Sequence, residues 1–281
     1  MNTQSGGKTA LLIIDPQNDF CDAHGALFVP NSPGDCARIA QFLKTAVQAN
    51  SRSNVQSNTR SIDSIFVTLD THNAYHIAHG AFWRTRDGTP PAPFTLITEK
   101  MLNNGDIVPV DAAKSGYALQ YVRSLEQNGK FALCIWPAHC LIGTWGHNVQ
   151  RDVLDAIRFW EAQNAPRGKF ASFIVKGKNP YTEHYSALKA EVPLADDAGT
   201  MFDFALIKQL DSHDSIVVAG EALSHCVANT VRDLLAAGID AHKITLLTDC
   251  MSPVTGFEDA GKSFVSEVGA KGVHLAKSSE L

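Results

Sequence analysis

Short runs of apolar, often β-branched residues recur along the chain, separated by longer stretches with helical periodicity. The runs are Ala10 to Ile14, Ile65 to Leu69, Phe131 to Trp136, Phe173 to Val175, Ile216 to Ala219 and Ile244 to Leu247, with a weaker one at Val273 to Ala276. Several are apolar at successive positions instead of alternating, as strands covered on both faces are. Between them, Asp35 to Gln48, Tyr117 to Gln127, Asn148 to Glu161, His225 to Ala237 and Phe257 to Val268 read as helices. In the fourth, Val227, Thr230, Val231, Leu234 and Leu235 recur at three- and four-residue steps, and Arg232 and Asp233 fall outside the stripe. This alternation predicts an α/β fold: a three-layer αβα sandwich around a central, mostly parallel sheet. Right-handed crossovers then align the strand C-termini along one edge, where sites in such sheets form.

Three segments break the rhythm. Asn50 to Ser64 is rich in Ser and Asn and reads as a surface loop. Arg84 to Pro109 is rich in Gly and Pro and reads as an irregular insertion, and Gly177 to Thr200 is mixed, with a Tyr-rich start. Loops of this length often serve as lids or oligomer contacts, so a homo-oligomer is expected. Strand-like runs continue on both sides of the insertion. The expectation is therefore one domain over 1–281, with extra chain around 84–130.

Charge and composition remove several function classes. A net charge of −5 gives no electrostatic grip on nucleic acid or an anionic membrane. No apolar run approaches the roughly 20 residues that span a bilayer. Met1 to Thr9 is small and polar, without the apolar core of a signal peptide, and reads as a frayed tail. A cytoplasmic protein is expected. The six cysteines are scattered, with no C-x-x-C pair, which fits reduced thiols. Most free cysteines are simply small buried residues, so only site chemistry singles one out.

That chemistry lies at the strand ends. The first run ends in Asp15, the second in Asp70-Thr71-His72, the third in Trp136-Pro137-Ala138-His139-Cys140, the fourth in Lys176, and the fifth leads through Gly220 to Cys226. Singly, an Asp there is usually a cap or turn residue and a Lys is usually solvated. Together they place a thiol, a carboxylate and an ammonium on one sheet edge. A helix start and Lys176 would both favour a Cys226 thiolate. Asp15 would take the thiol proton and return it to a leaving amine, and N–H groups at the helix start, including that of Cys226, would hold an oxyanion. Asp70, His72 and His139 offer two imidazoles and a carboxylate, a set suited to Zn²⁺ or Fe²⁺. His76 and His79 are candidate extra ligands, with a surface position expected for His79.

Taken together these motifs resemble the nicotinamidase and pyrazinamidase family. Asp15-Pro16-Gln17-Asn18-Asp19-Phe20-Cys21 followed by Gly25-Ala26-Leu27 is similar to its opening motif. Asp70-x-His72 with His76-Ile77 resembles its metal motif, Trp136-Pro137-x-His139-Cys140 its W-P-x-H-C signature, and Lys176 with Tyr185-Ser186 its lysine segment. Gly220-x-Ala222 through Cys226-Val227, with Thr230 and Asp233, resembles its nucleophile segment. The resemblance runs from Ala10 to about Ala276 and implies the isochorismatase-like fold, with about six strands. It implies a Cys226, Asp15, Lys176 triad, a thioester intermediate, release of ammonia from a small carboxamide, and a metal on Asp70, His72 and His139 that meets a pyridine nitrogen. It also implies a ring between Phe20 and Trp136, and a cis Glu221–Ala222 peptide that aims the Ala222 N–H at the oxyanion. Thr71, Glu221 and Leu223 depart from the usual residues, and the chain is longer between His72 and Trp136. These departures leave open another amide, a carbamoyl compound, or a silent ligand-binding member.

Gly256 to Ser263 also satisfies the phosphate-loop pattern G-x-x-x-x-G-K-S. Its context argues against nucleotide binding: Glu258 and Asp259 would face the phosphates, and the segment reads as a late helix.

Overall fold

The computed structural model describes residues 7–51, 61–127 and 132–281. Most of the N-terminal tail, most of the Ser/Asn-rich loop and Phe131 lie outside the described residues. The central sheet has six strands, all parallel: β1 (Thr9–Ile14), β2 (Ser64–Asp70), β7 (Ser172–Lys176), β8 (Ser215–Gly220), β9 (Ile244–Leu247) and β10 (His274–Ala276). Their order is β10-β9-β8-β1-β2-β7. Every residue of β1 is buried. Successive side chains of a strand point to opposite faces, so both faces of the sheet are covered. At the edge, β7 buries only Lys176 fully.

Helices cover the sheet. Before β2 come α1 (Asn18–Cys21) and α2 (Ser32–Ser51). Later come α5 (Arg151–Asn164), α6 (Phe204–Asp211), α7 (Ala228–Ala236) and α8 (Glu258–Ala270). α2 packs along α5, which Gln150 caps by accepting from Asp152 N at 2.8 Å. The predicted stripe of α7 is inside: Val227, Thr230, Val231 and Leu234 are buried, and Arg232 reaches Glu267 of α8 at 2.7 Å. The phosphate-loop look-alike is the turn and first coils of α8. Lys262 there pairs with exposed Asp259, and Gly261 packs under Leu223.

Between β2 and α5 the chain is less irregular than its Gly and Pro content suggests. It holds β3 (Trp83–Thr85) paired with β5 (Ile107–Pro109), β4 (Leu96–Ile97) paired with β6 (Leu133–Cys134), and helices α3 (Glu99–Asn103) and α4 (Ser115–Gln127). Here one expectation is corrected: the Phe131 to Trp136 run is not a strand of the central sheet. Its core, Leu133 and Cys134, pairs antiparallel with Ile97 and Leu96, and Trp136 N bonds Ala78 O at 2.8 Å. Leu133 to Trp136 are buried beside the insertion, and a strand buried there reads like one buried in the main sheet.

Candidate active site

The polar residues after β1 build the floor of the site. Asp15 sits at a left-handed φ of 41°. Thr68 of β2 holds it twice: Asp15 N donates to Thr68 Oγ1 at 2.9 Å, and that hydroxyl donates to Asp15 Oδ1 at 2.5 Å. The amide of Gln17 adds a rung between the ends of β1 and β2, donating to Asp70 O at 2.8 Å and accepting from Asp70 N at 2.7 Å. Asp19 accepts from Cys140 N at 2.6 Å and Ala26 N at 2.9 Å, which ties the W-P-x-H-C loop to α1. Gly220 takes φ of 110°, where a Cβ would fall 2.1 Å from Ile14 O; only glycine lets β8 close against β1 as the chain turns toward Cys226.

Asp15, Lys176 and Cys226 meet in a buried group. Lys176 Nζ lies 2.9 Å from Asp15 Oδ2, 3.0 Å from Asp70 Oδ1, 2.9 Å from His184 O and 3.6 Å from Cys226 Sγ. Burial opposes its charge, but Asp15, Asp70 and Cys226 outweigh burial and hold its pKa well above the ordinary lysine value. Burial raises the Asp15 carboxyl; Lys176 works against that shift and Asp70 adds to it. Cys226 occupies a π-helical turn, Leu223–Val227, leading into α7. Burial pushes its thiol well above the usual range, and the pull of Lys176 does not offset it. Burial thus works against the thiolate that a helix start and an ammonium favour, and Asp15 lies within hydrogen-bond reach of the sulfur. Ala222 N–H has no acceptor among the described residues and lines the same pocket, and the Glu221–Ala222 peptide is cis.

Asp70, His72 and His139 also converge. Asp70 Oδ2 lies 3.0 Å from His72 Nε2 and 3.2 Å from His139 Nε2. His139 Nδ1 donates to Pro137 O at 2.8 Å, which turns its Nε2 lone pair toward that carboxylate. The His139 loop is docked on the end of β2 by His72 N to Cys140 O at 3.0 Å. His139 therefore arrives from a loop and not from a sheet strand. The surface position expected for His79 is wrong: it is fully buried, its ring 5.1 Å from that of His72 and 5.3 Å from that of His139. Neither ring nitrogen of His79 has a well-placed hydrogen-bond partner, and burial, then His139 and His72, push its pKa down to about 3. His72, His79 and His139 form a group able to hold a metal ion. Buried His76, with Nε2 3.2 Å from Thr182 O, forms a second such group with His72 and Glu183. At Gly177, φ is 79° and a Cβ would meet Asp70 Oδ1 at 3.0 Å, so the residue after Lys176 leaves room for this cluster.

Phe20, Trp136, Tyr185, His225 and Val254 wall the pocket above Cys226. Its free volume is about 20 Å³, near the space one water needs. Trp136 Nε1 donates to Tyr185 Oη at 3.0 Å, and the Trp136 ring lies edge-on to His225 with centroids 5.2 Å apart. Sequence reasoning missed Glu183, His225 and Val254. Glu183 lines the pocket seven residues beyond Lys176 and belongs to no recognised motif there. His225 carried a signal, since it precedes Cys226.

No family model matches the chain. It is 22% identical over 267 residues to the nicotinamidase of Saccharomyces cerevisiae, covering 94% of this chain and 97% of that protein. To the nicotinamidase of Escherichia coli it is 27% identical over 270 residues, covering 95% and 93%. The crystal structure of the yeast nicotinamidase bound to the inhibitor nicotinaldehyde matches with a TM-score of 0.63 at 20% identity, over 96% of this chain and 99% of that one. The pyrazinamidase of Pyrococcus horikoshii in complex with zinc matches with a TM-score of 0.52 at 18% identity, over 96% and 99%. The chain thus resembles nicotinamidases from end to end and shares the α/β fold of the yeast enzyme.

Proposed function

We propose that the protein is a cysteine amidase that hydrolyses a small, nicotinamide-like carboxamide to its acid and ammonia. One observation carries this reading: Lys176 Nζ, buried, touches both Asp15 and the sulfur of Cys226 at the floor of an aromatic pocket. The curated nicotinamidases matched over nearly their full length supply the substrate class.

The steps follow from the geometry. Cys226 Sγ adds to the amide carbon as its proton passes to Asp15, and the carbonyl π pair moves onto oxygen. The N–H groups of Ala222 and Cys226 hold that oxyanion. Asp15 then gives the proton to the amide nitrogen, the C–N bond breaks, and ammonia leaves a thioester on Cys226. Asp15 next takes a proton from water as water adds to the thioester, and collapse releases the acid and restores the thiol. The raised pKa of Asp15 suits it to this shuttling. Lys176 keeps its proton and holds Asp15 and sulfur in register. Phe20 and Trp136 flank the ring.

Asp70, His72 and His139 fit a divalent metal, Zn²⁺ or Fe²⁺. Two ring nitrogens aim at one carboxylate oxygen, and buried His79 faces the same group. When bound, such a metal would take the lone pair of a ring nitrogen and orient the ring. The test is ammonia release from nicotinamide, pyrazinamide and a panel of carboxamides and carbamoyl compounds. Rapid turnover of a pyridine or pyrazine carboxamide supports the reading. No release from any of them, or release undiminished in Cys226→Ala, refutes it.

A further inference from the structure

Glu221 stands where the family usually has a small apolar residue, and the mechanism above makes no use of its side chain. That side chain is 1% exposed. It lies against a second buried acid, Asp35 of α2, with Ser252 bridging them: Ser252 N donates to Glu221 Oε2 at 3.0 Å, and Ser252 Oγ donates to Asp35 Oδ2 at 2.6 Å. Among the described residues, Arg38 Nη2 reaches Asp35 Oδ1 at 2.5 Å from the half-exposed surface, and the buried thiols Cys36 and Cys21 lie close to Glu221. One partly solvated cation does not balance two buried carboxylates. Glu221 Oε1 is buried and meets no donor, which a bare carboxylate oxygen would need. Burial and then Asp35 raise the Glu221 carboxyl well above its usual range.

The same corner anchors the oxyanion turn. The loop through Ser252 bonds it at three further points: Gly220 N to Cys250 O at 2.9 Å, Leu223 N to Ser252 O at 2.8 Å, and Val254 N to Ser224 Oγ at 3.1 Å. Ser252 is thus tied at once to α2, through Asp35, and to the residues on either side of Ala222. We propose that Glu221 and Asp35 share one proton and that this acid–carboxylate pair, through Ser252, positions the Ala222 N–H for the oxyanion. Glu221 is a positioning residue in this scheme, since it touches neither the substrate nor the reacting atoms. The inference rests on the amidase reading for the use of that N–H.

The test compares wild type, Glu221→Ala and Glu221→Gln by calorimetry with two ligands, pyridine-3-carboxaldehyde and nicotinate. The aldehyde forms a reversible adduct: Sγ bonds to its carbonyl carbon, the π pair moves to oxygen, and the thiol proton ends on that oxygen, in the oxyanion position. Nicotinate is the product and makes no such bond. Glu221→Ala should weaken the aldehyde about tenfold and nicotinate less than about twofold. Glu221→Gln, whose amide both donates to Asp35 and accepts from Ser252, should recover aldehyde affinity to within about threefold of wild type. Equal weakening of both ligands, no weakening of either, or a Gln variant as weak as Ala overturns the proposal. Should Glu221→Ala not fold, the pH profile decides between wild type and Glu221→Gln. Aldehyde affinity of the wild type should fall more steeply on the alkaline side, as the shared proton leaves; superimposable profiles overturn the pair. Wild type that binds the aldehyde but releases no ammonia would sink the amidase reading alone.

Discussion

Replacing Lys176 by Met removes the one ammonium that faces Asp15, Asp70 and Cys226 at 2.9, 3.0 and 3.6 Å. At an effective dielectric near 20, each carboxylate contact is a gross attraction of about 5 kcal/mol. After relaxation, deleting one partner of a buried pair costs about 3–5 kcal/mol. Part of that loss is relieved as Asp15 holds its proton to higher pH, because its carboxyl rises further once Lys176 no longer lowers it. Burial already raises Asp15, so losing Lys176 shifts it further toward the protonated form. Turnover should drop about 10²- to 10³-fold, with the acid limb of kcat/KM displaced upward and activity partly regained at high pH. Stability carries the matching sign. A carboxyl whose folded pKa is raised favours the fold fully below its unfolded value and loses that advantage as pH rises through the folded one. The deficit of Lys176→Met in thermal unfolding should therefore grow from pH 5 toward pH 8. Near-normal turnover at pH 7 with an unmoved acid limb would refute the reasoning.

Further outcomes follow from the same geometry. Cys226→Ala should abolish ammonia release and leave the melting temperature within a few degrees of wild type, because only one sulfur is removed from a side chain that lines the pocket; activity near wild type would remove Cys226 as nucleophile. Alkylation of Cys226 by iodoacetamide should be slow at pH 7 and accelerate steeply with pH, since burial holds the group as a thiol; a fast, pH-independent rate would contradict that assignment. Asp70→Asn and His139→Ala should each lower bound metal measured on the purified protein, and His79→Ala should lower it too; a metal content unchanged by all three would dismiss the cluster. Trp160→Ala should cost about 3–5 kcal/mol in denaturant unfolding, because the ring is 1% exposed and its Nε1 donates to Ile62 O.

Fold class was legible in the sequence because parallel strands buried on both faces are written as unbroken apolar runs. Ala10 to Ile14 and Ile216 to Ala219 are such runs, and both lie mid-sheet. The residues ending them, Asp15 and the turn from Gly220 to Cys226, could be placed on one edge from connection handedness alone. The Phe131 to Trp136 run misled for the same reason the others succeeded: Leu133 to Trp136 are buried, but Leu133 and Cys134 pair with Leu96–Ile97 of the insertion. His79 was unreadable because its burial comes from tertiary neighbours, His72 and His139, that its own sequence context does not announce. The pull of Lys176 and of a helix start on Cys226 is visible in sequence, whereas the desolvation that opposes it is not. Glu183 and the Glu221–Asp35 contact depend on side chains meeting across distant segments, which motif spacing does not encode.

The central claim is that Cys226 carries the acyl group of the substrate through a thioester. It is tested most directly by mixing the protein with a carboxamide it hydrolyses, quenching in acid within the first turnover, and mapping the peptides by mass spectrometry. The account predicts an acyl group on the peptide that contains Cys226, formed with release of ammonia and lost again as the acid appears. Turnover without any acyl group on Cys226, or with one on another residue, would contradict it.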